Sequence, residues 1–419
     1  MKKKNIVIIG GGISGLELTK LLSHKIKHKV NITLIDKNSY HIWKPILHEI
    51  STGYLDANTN TINFNDHAYI NKYNFKLGYL ININKYKKYI IYKYKKNLNY
   101  KKKKLKYDIL VISLGSISND FNIPGVKQNC FFLDNIKQAM LLHKKIFNIL
   151  LSNKKKKKII IVGGGATGIE LSAEIANLIK ELKKYGYNIN KKIINIIIIE
   201  AGKNILSLLP PKISYNVYNK LKKIGIIIIN KTIVTYVYKY GLKTNKNIFI
   251  NANLIIWAAG IKAPCFIKNI NGLKINKINQ LLIKPTLQTT LNESIFAIGD
   301  CASLKIGNNK FVPSRAQSAH QMANLCFKNI LSILNNKPLS LYKYNDYGTI
   351  ISLSKFYTIG YLIIKLINKN IIIKGKIAHF IYILLHKMHQ IKIQGYIKTL
   401  LIIIINIINK FIKLKIKIK

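Results

Sequence analysis

Two copies of one pattern decide the fold: KNIVIIGGGISG at residues 4–15 and KKIIIVGGGATG at residues 157–168. Each copy reads as a short apolar strand, a turn with three glycines and the start of a helix. The first glycine permits the turn, the second lets backbone N–H groups approach a pyrophosphate, and the third lets the helix pack closely on the strand. The helix start then faces the phosphates. The sequence therefore predicts two dinucleotide-binding turns, built on Gly10, Gly12 and Gly15 and on Gly163, Gly165 and Gly168.

An acidic residue ends the next strand after each turn. Asp36 follows the strand at 31–35, and Glu200 follows the strand at 193–199. A carboxylate at this position accepts hydrogen bonds from an adenosine ribose and disfavours a 2′-phosphate. Because the chain has only 15 acidic residues, chance is a poor explanation for both positions. Glu200 therefore favours NADH over NADPH, although Lys203 nearby keeps NADPH open.

Two motifs downstream of the second turn support a flavoprotein. WAAG at 257–260 follows an apolar strand, and FAIGD at 296–300 ends a later strand in Gly-Asp. In flavoproteins with two dinucleotides, an aspartate at the position of Asp300 hydrogen-bonds the ribityl chain. The two dinucleotides are then FAD and NAD, and the chain returns to its first domain after the second is inserted. We predict an α/β fold with two Rossmann-like dinucleotide-binding domains.

The pattern also predicts how the chain is divided. Residues 76–107 alternate Ile, Tyr and Lys, which indicates an antiparallel meander, to which we assign no chemistry. Beyond about residue 345, the Ile/Leu/Lys segments 376–389 and 396–413 are typical of amphipathic helices with a lysine-rich face. We therefore predict a FAD-binding domain in two parts (1–125 and 276–345), an inserted NADH-binding domain (126–275) and a C-terminal region for membrane association or dimer contacts (346–419).

The formal charge of +54 invites a nucleic-acid interpretation that the composition opposes. Arg315 is the only arginine, whereas base and phosphate contacts favour arginine. An AT-rich genome would enrich Lys, Ile, Asn and Tyr together, so we predict no nucleic-acid partner. A basic surface is still drawn to anionic lipid. The four cysteines are scattered and form no zinc pattern, so we predict no metal site and no structural disulfide.

The sequence predicts attachment to a membrane surface. The longest apolar candidate, residues 400–408, contains Asn406 and is much shorter than the roughly 20 residues that a membrane-spanning helix needs. The apolar and lysine faces at the C-terminus would instead lie in the interface, with lysines toward anionic headgroups. The alternative is an ordinary packed helical region.

Further motifs extend over nearly the whole chain. They are HIWKP at 41–45, LHE at 47–49, SLGS at 113–116, EAG at 200–202, PTLQTT at 285–290, RAQSAHQMA at 315–323 and MHQ at 388–390, together with residues 163–170, 257–264 and 297–302. Taken together, they resemble the type II NADH dehydrogenases, the single-subunit NADH:quinone oxidoreductases that pump no protons. The bacterial respiratory form is the most similar. Lys387 stands where relatives often carry arginine.

The resemblance implies a role for each matching residue. FAD would be held non-covalently by Gly10, Gly12, Gly15, Asp36, Lys44, Ser113, Gly115 and Asp300. NADH would be held by Gly163, Gly165, Gly168, Glu200 and Gly260. Glu170 resembles the family's acid near the junction of nicotinamide and flavin, where it would position NADH or relay a proton; compensation of the helix dipole is the alternative. Gln317 and Gln321 share one helical face and would hydrogen-bond the quinone carbonyls.

The implied activity has two half-reactions, in which NADH reduces the flavin and the flavin then passes two electrons to a membrane quinone. The implied partners are NADH, ubiquinone or menaquinone and an anionic membrane surface, and the resemblance leaves both a homodimer and a single copy of the chain open. The implied location is peripheral, on the cytoplasmic face of the bacterial inner membrane.

Three other activities remain as alternatives. Sulfide:quinone oxidoreductases share this fold but need a redox-active cysteine pair beside the flavin, which the scattered cysteines do not supply. Flavin disulfide reductases need a cysteine pair after the first glycine motif. A flavoprotein that had lost turnover could survive as a membrane-surface scaffold, but the rare tryptophans, the lone arginine and most acids keep their positions in the motifs.

Overall fold

The computed structural model describes residues 3–96, 99–152, 156–187, 189, 193–270, 272–307, 310–364 and 369–412. The strands are β1 (Lys4–Ile9), β2 (Val30–Asp36), β3 (Tyr40–Ile42), β4 (Thr61–Asn63), β5 (Asn74–Leu77), β6 (Tyr79–Asn84), β7 (Tyr89–Lys96), β8 (Asn99–Lys106), β9 (Ile109–Ile112), β10 (Ile117–Ser118), β11 (Lys157–Val162), β12 (Ile194–Ile199), β13 (Ile226–Ile229), β14 (Val234–Tyr238), β15 (Gly241–Thr244), β16 (Phe249–Asn251), β17 (Leu254–Trp257), β18 (Ile261–Lys262), β19 (Leu281–Leu282), β20 (Gln288–Thr289), β21 (Asn292–Ala297), β22 (Ala302–Ser303), β23 (Gly348–Leu353), β24 (Tyr357–Ile364) and β25 (Lys369–Lys374). The α-helices are α1 (Ile13–Ile26), α2 (Leu47–Ser51), α3 (Phe64–Asn71), α4 (Val126–Asn129), α5 (Ile136–Leu151), α6 (Ala166–Lys184), α7 (Pro211–Lys223), α8 (Ala316–Leu334), α9 (Lys376–Gln394) and α10 (Tyr396–Ile412). Short 3₁₀ helices cover Lys44–Ile46, Asn58–Asn60, Cys265–Asn269 and Gly299–Cys301.

The first glycine turn lies in a six-stranded sheet with the order β20-β21-β9-β1-β2-β5. β1 pairs in parallel with β2 on one side and with β9 on the other. β21, which comes after the whole second sheet in sequence, pairs in parallel with β9 and places Ile295 opposite Leu110. The chain thus returns to its first sheet, as the Gly-Asp motif predicts. The domain boundaries at 125, 275 and 345 stay predictions.

The second glycine turn lies in a four-stranded parallel sheet with the order β13-β12-β11-β17. Most residues of β11 and β12 are buried isoleucines, because helices cover both faces of a parallel sheet. A second core, which includes Ile161, Ile198, Leu171 and Val217, fills the space between this sheet and its helices. The two Rossmann-like units of the predicted fold are therefore confirmed.

The predicted meander at 76–107 is confirmed as the antiparallel sheet β6-β7-β8. One face is closed, because Ile90 and Tyr92 of β7 are buried in the hydrophobic core that surrounds the first sheet. Most side chains of β8 are exposed lysines, so the sheet presents a basic surface.

The C-terminal region begins with a sheet that the sequence analysis did not predict. β23, β24 and β25 pair antiparallel, and α9 packs against all three. Their Ile, Thr and Tyr residues suit a pleated, half-buried surface, which we overlooked beside the stronger helical segments. The two predicted helices are confirmed as α9 and α10, while residues 413–419 lie outside the described residues. In the described part of the chain, no helix is both long and apolar enough to cross a bilayer.

Candidate functional site

The first glycine turn uses its three glycines in three different ways. Gly10 has a φ of +101°, and a Cβ added there would lie 2.2 Å from the carbonyl O of Ser113. A Cβ at Gly15 would lie 1.9 Å from the carbonyl O of Gly10, so α1 can begin against this turn only with a glycine at that position. At Gly12, in contrast, a Cβ would meet nothing within 4 Å. The second glycine therefore faces open space where a phosphate can approach the backbone.

The second glycine turn repeats this construction. Gly163 has a φ of +112°, and a Cβ at Gly168 would lie 2.1 Å from the carbonyl O of Gly163. A Cβ at Gly165 would again meet nothing within 4 Å. Since the open position is the second glycine in both turns, the geometry fits a pyrophosphate at each helix start.

The two predicted ribose acceptors lie beside these turns. Asp36 accepts a hydrogen bond from the N–H of Gly11 at 2.7 Å, and Glu200 accepts one from the N–H of Gly164 at 2.6 Å. The second oxygen of Glu200 accepts from the N–H of Gly202 at 2.7 Å. Each carboxylate is thus fixed by backbone donors at the end of its strand, next to the open glycine. Each turn therefore combines an open backbone with a fixed carboxylate, and binding of a dinucleotide at either turn stays a prediction.

The remaining residues predicted to hold FAD come together at the carboxyl edge of the first sheet. The hydroxyl groups of Ser113 and Ser14 are 2.8 Å apart at the start of α1. Lys44 donates to the carbonyl O of Ser116 at 2.7 Å, and the hydroxyl of Ser116 donates to Asp300 at 2.8 Å. Gly115 lies between these two serines with a φ of +64°. Residues from four distant parts of the chain therefore surround one edge, where the open face of Gly12 lies.

Gly260 lies where the two units join. It has a φ of +64°, and its carbonyl O accepts from the N–H of Asn119 at 3.2 Å. The indole N–H of Trp257 donates to the carbonyl O of Asn119 at 2.7 Å. Asp120 forms a salt bridge with Lys262, and β10 pairs antiparallel with β18. Asn119 and Asp120 fix the second unit against the first, and no sequence motif indicated them.

Glu170 lies in a buried cluster of carboxylates that the sequence analysis did not predict. Its Oε1 accepts from the N–H of Ser352 at 3.1 Å. Burial, reinforced by Glu49 and Glu174, raises the pKa of Glu170 to about 8. Burial also raises the pKa of Glu49 to about 8 and that of Glu174 to about 7. Near neutral pH, Glu170 and Glu49 therefore each hold a proton that a water-exposed carboxylate would have released.

Two aromatic side chains connect this cluster to other elements. His48 Nδ1 lies 3.9 Å from Glu170 Oε2, and the hydroxyl of Tyr382 donates to Glu49 at 3.3 Å. Burial lowers the pKa of His48 to about 4, so its imidazole is neutral. The LHE motif at 47–49 was the only sequence signal for the Glu49 side of the cluster.

Gln317 and Gln321 share a face of α8, as predicted, but their amides bind the loop at 345–348. Gln317 donates to Asp346 at 3.0 Å and accepts from the N–H of Tyr347 at 3.0 Å. Gln321 donates to the carbonyl O of Asn345 at 2.7 Å and accepts from its N–H at 2.9 Å. Arg315 lies 3.5 Å from Asp346 in the same loop. Contact of the two glutamines with a quinone stays a prediction.

Comparison with known proteins gives consistent results. The family model for pyridine nucleotide-disulphide oxidoreductases matches residues 4–323. The chain is 40% identical over 441 aligned positions to the type II NADH:quinone oxidoreductase of Haemophilus influenzae, with 99% of each chain covered. It is 29% identical to the type II NADH:quinone oxidoreductase of Staphylococcus saprophyticus, which covers 85% of this chain and 89% of that relative.

Solved structures show the same fold. NDH2 from Plasmodium falciparum, determined in complex with NADH, superposes with a TM-score of 0.82 at 24% identity and covers 99% of this chain and 100% of that one. The sulfide:quinone oxidoreductase of Aquifex aeolicus superposes with a TM-score of 0.77 at 18% identity and covers 94% of this chain and 92% of that one. The fold alone therefore does not separate the two activities.

The open and crowded glycines of the second turn should respond differently to substitution. Gly165 has extended backbone geometry and an open Cβ position, so Gly165→Ala should leave the free energy of unfolding within about 0.5 kcal/mol of wild type. It should still weaken NADH binding by about tenfold or more, about 1.4 kcal/mol, because a methyl group displaces the phosphate. Gly168→Ala should lower the free energy of unfolding by about 1–3 kcal/mol through overpacking. Chemical denaturation and NADH titration of both variants measure this contrast, and equal effects on stability would contradict it.

The raised pKa of Glu170 predicts a pH-dependent effect of Glu170→Gln on stability. Between the unfolded value near 4.5 and the folded value of about 8, the folded state holds a proton that the unfolded chain releases. This contribution is fully present below the unfolded pKa and is lost as pH rises through the folded value. Gln cannot ionise, so the free energy of unfolding of Glu170→Gln, relative to that of wild type, should increase from pH 5 to pH 8. Urea denaturation at each pH measures this difference. Exposed Glu293→Gln is the control, and a constant difference would show that the pKa of Glu170 is not raised.

Proposed function

Because the chain belongs to the pyridine nucleotide-disulphide oxidoreductase family and, within it, to the type II NADH:quinone oxidoreductases, we propose that it passes two electrons from NADH through non-covalent FAD to a membrane quinone without pumping protons. The observation that carries the FAD part is the pair of glycine turns with one construction, each with an open second glycine and a fixed acid. Two such turns accommodate two dinucleotides, one resident and one exchangeable.

The first turn is the FAD site in this proposal. Gly10 and Gly15 shape it, Gly12 admits the pyrophosphate, and Asp36 accepts from the ribose. The other groups at the carboxyl edge, Lys44, Ser113, Gly115 and Asp300, hold the flavin half. FAD supplies the capacity to take up a hydride equivalent and pass on two electrons, which no side chain can do.

The second turn is the NADH site. Gly163 and Gly168 shape it, Gly165 admits the pyrophosphate, and Glu200 accepts from the adenosine ribose. Gly260 keeps the nicotinamide side of this unit against the first, through its contact with Asn119. Glu170 holds its proton in the buried cluster behind the helix start, where it positions NADH or relays that proton. Gln317 and Gln321 lie at the quinone side and orient the loop at 345–348.

The cysteines do not support sulfide oxidation. All four are free, and Cys301 and Cys326 are fully buried. Burial raises the pKa of Cys301 to about 12 and that of Cys326 still further, so neither forms a thiolate near neutral pH. A sulfide:quinone oxidoreductase needs nucleophilic thiolates, and this chain keeps its innermost cysteines as thiols.

The C-terminal helices are the proposed membrane contact. Phe380 on α9 is 67% exposed and Ile397 on α10 is 79% exposed, and Leu384, Leu401 and Ile405 extend the same apolar surface. A helix that leaves this much apolar area in water gains free energy by entering the headgroup boundary. We place the enzyme peripherally on the cytoplasmic face of the bacterial inner membrane. A second copy of the chain that covers part of this surface is the alternative occupant.

Anaerobic stopped-flow spectroscopy tests the two half-reactions. NADH should rapidly bleach the visible absorbance of the bound flavin, because Glu200 accepts from an unphosphorylated ribose. NADPH should bleach it weakly, and a water-soluble quinone added afterwards should restore the absorbance. Flavin that is present but not bleached by NADH would overturn the proposal.

Vesicle flotation tests the membrane contact. Wild-type protein should float with vesicles that contain anionic lipid, and added salt should weaken the binding because lysines contribute. Ile397→Asp should abolish flotation, since a carboxylate on the apolar face opposes both the burial of that face in lipid and the attraction to anionic headgroups. Ile248→Asp, at an exposed position in the NADH-binding unit, is the control and should float like wild type. Flotation of Ile397→Asp at the wild-type level would place the contact elsewhere.

A further inference from the structure

Four histidines meet beside the first glycine turn, and none of the activities described above uses them. His41 lies on β3, His320 on α8, and His386 and His389 on α9. The ring of Trp43 lies among them, 4.0 Å from the ring of His389 and 6.1 Å from those of His320 and His386. Both His41 and His389 are almost fully buried, with exposed fractions of 3% and 2%. We call this group the histidine cluster.

The hydrogen bonds of His41 fix its tautomer. Its Nδ1 lies 2.8 Å from the carbonyl O of Gly11, and its Nε2 lies 3.0 Å from Nε2 of His389. A carbonyl oxygen can only accept, so Nδ1 of His41 carries a hydrogen. In the neutral imidazole Nε2 is then an acceptor, and Nε2 of His389 must donate to it. The two rings therefore form a directed chain that ends at the backbone of the FAD turn.

The other end of this chain of hydrogen bonds has no partner among the described residues. With its hydrogen on Nε2, neutral His389 has a bare lone pair on Nδ1, and this buried atom has no hydrogen-bond partner among the described residues. A buried acceptor without a partner costs free energy, so its persistence calls for a ligand that can donate there. A proton that enters at Nδ1 can be shared, because the hydrogen on Nε2 of His389 then moves to Nε2 of His41. The pair can hold one extra proton, which enters and leaves through Nδ1 of His389.

The unpartnered Nδ1 of His389 belongs to α9, which lies between the FAD turn and the proposed lipid contact. His389 follows Met388, which is 47% exposed, and lies one turn after Leu385, which is 46% exposed. On the other side, His320 lies between Gln317 and Gln321 on α8. In the proposed function, a quinone that moves from lipid to the flavin comes past α9 and this histidine.

The charged and titratable groups around the pair come from four helices. From α8, Nδ1 of His320 is hydrogen-bonded to a carboxylate oxygen of Glu17 of α1. From α9 itself, His386 and Lys392 act on the pKa of His389, and His67 of α3 interacts with His41. Glu17 is the only carboxylate in this group, and it is already shared by His320, Asn324 and Lys392. No acid of the cluster therefore competes for the open nitrogen.

We propose that the His41–His389 pair donates the proton that completes quinol formation, through Nδ1 of His389. This inference rests on the proposed function. The overall reaction NADH + H⁺ + quinone → NAD⁺ + quinol consumes one proton beyond those that NADH carries. In the donation step the N–H bond at Nδ1 of His389 breaks and an O–H bond forms on the quinone oxygen. The histidines are neither oxidised nor reduced. The hydrogen on Nε2 of His41 returns to His389, and solvent reloads the pair after the quinol leaves.

The same pair then recognises both forms of the substrate. When it is loaded, Nδ1–H donates to a quinone carbonyl, and when it is discharged, the bare Nδ1 accepts from a quinol hydroxyl. Burial lowers the pKa of His41 to about 4 and lowers that of His389 well below its usual value. The loaded form is therefore a strong acid that is scarce near neutral pH. Its population falls about tenfold for each pH unit above the pKa, so quinone reduction should slow as pH rises.

The test separates the two half-reactions in His389→Gln. The Gln side-chain amide can replace Nε2 of His389 and keep the hydrogen bond to His41, but it has no Nδ1 that can carry a proton. Bleaching by NADH should match wild type. Reoxidation by quinone at pH 7 should slow by about 10²-fold, the usual contribution of a positioned acid, and should lose its dependence on pH.

His28→Gln, at an exposed position on the loop after α1, is the matched control and should keep both rates. If His389→Gln is reoxidised by quinone at the wild-type rate and with the wild-type dependence on pH, the inference is overturned. Failure of NADH to bleach the wild-type flavin would instead overturn the proposed function, so the two failures are distinguishable.

A second measurement needs no turnover. Nitrogen NMR of protein labelled in histidine reports the tautomer of each ring. In the resting enzyme the signal of His41 should be that of a neutral ring with hydrogen on Nδ1, and the signal of His389 that of a neutral ring with hydrogen on Nε2, each assigned by its loss in His41→Asn or His389→Gln. A hydrogen on Nδ1 of His389 in the resting state would refute the directed chain.

Discussion

The structure depends on a steric constraint at two places, where the end of a strand and the start of a helix come closer than any side chain allows. A Cβ at Gly15 or Gly168 would lie about 2 Å from a carbonyl oxygen of its own turn, at 1.9 Å and 2.1 Å. Because the chain satisfies this constraint twice, each helix start faces outward over the carboxyl edge of a parallel sheet. That orientation leaves the middle glycine open and places Asp36 and Glu200 beside it. The two nucleotide sites are consequences of backbone packing before any side chain contributes.

A second physical feature is the contrast between the charged surface and the neutral interior. The chain carries a formal charge of +54, yet four buried titratable groups near the proposed reaction centre are in uncharged forms. Burial keeps Glu49 and Glu170 protonated and His41 and His48 neutral. Charging any of these groups without a partner is costly in a region that water does not reach. Protons near the flavin are therefore held in a few places from which they leave only when the charge of the site changes.

The parts of the site that the sequence predicts are those in which the signal is local. The glycine spacing, the acids 26 and 37 positions after the first glycines and the Gly-Asp pair that follows β21 are each local signals within one supersecondary unit. The structure has the glycines in strand-to-helix turns and the two acids at strand ends, while their roles in binding stay predictions. The carboxylate cluster and the histidine pair do not have this property. Glu49 and Tyr382 are 333 positions apart, and His41 and His389 are 348 apart. Their meeting is set by how α9 docks, and no periodicity in a single segment encodes that. The same limit explains Gln317 and Gln321, whose shared face was predictable while the loop that binds their amides was not.

The docking of α9 therefore carries more of the function than its sequence indicates. In the proposed function a quinone comes from lipid and NADH comes from water, so the protein must bring its flavin to the lipid side. Met388 and His389 are consecutive on α9, with the first exposed to the surface and the second buried against the FAD turn. Since a helix with its side chains is only about 10–12 Å thick, the distance from lipid to the histidine pair is fixed by the helix itself. The sheet β23-β25 supports α9 from behind. In the proposed function this sheet, whose strands pair with neither of the sheets that carry the glycine turns, thereby helps to set the geometry of the quinone half-reaction.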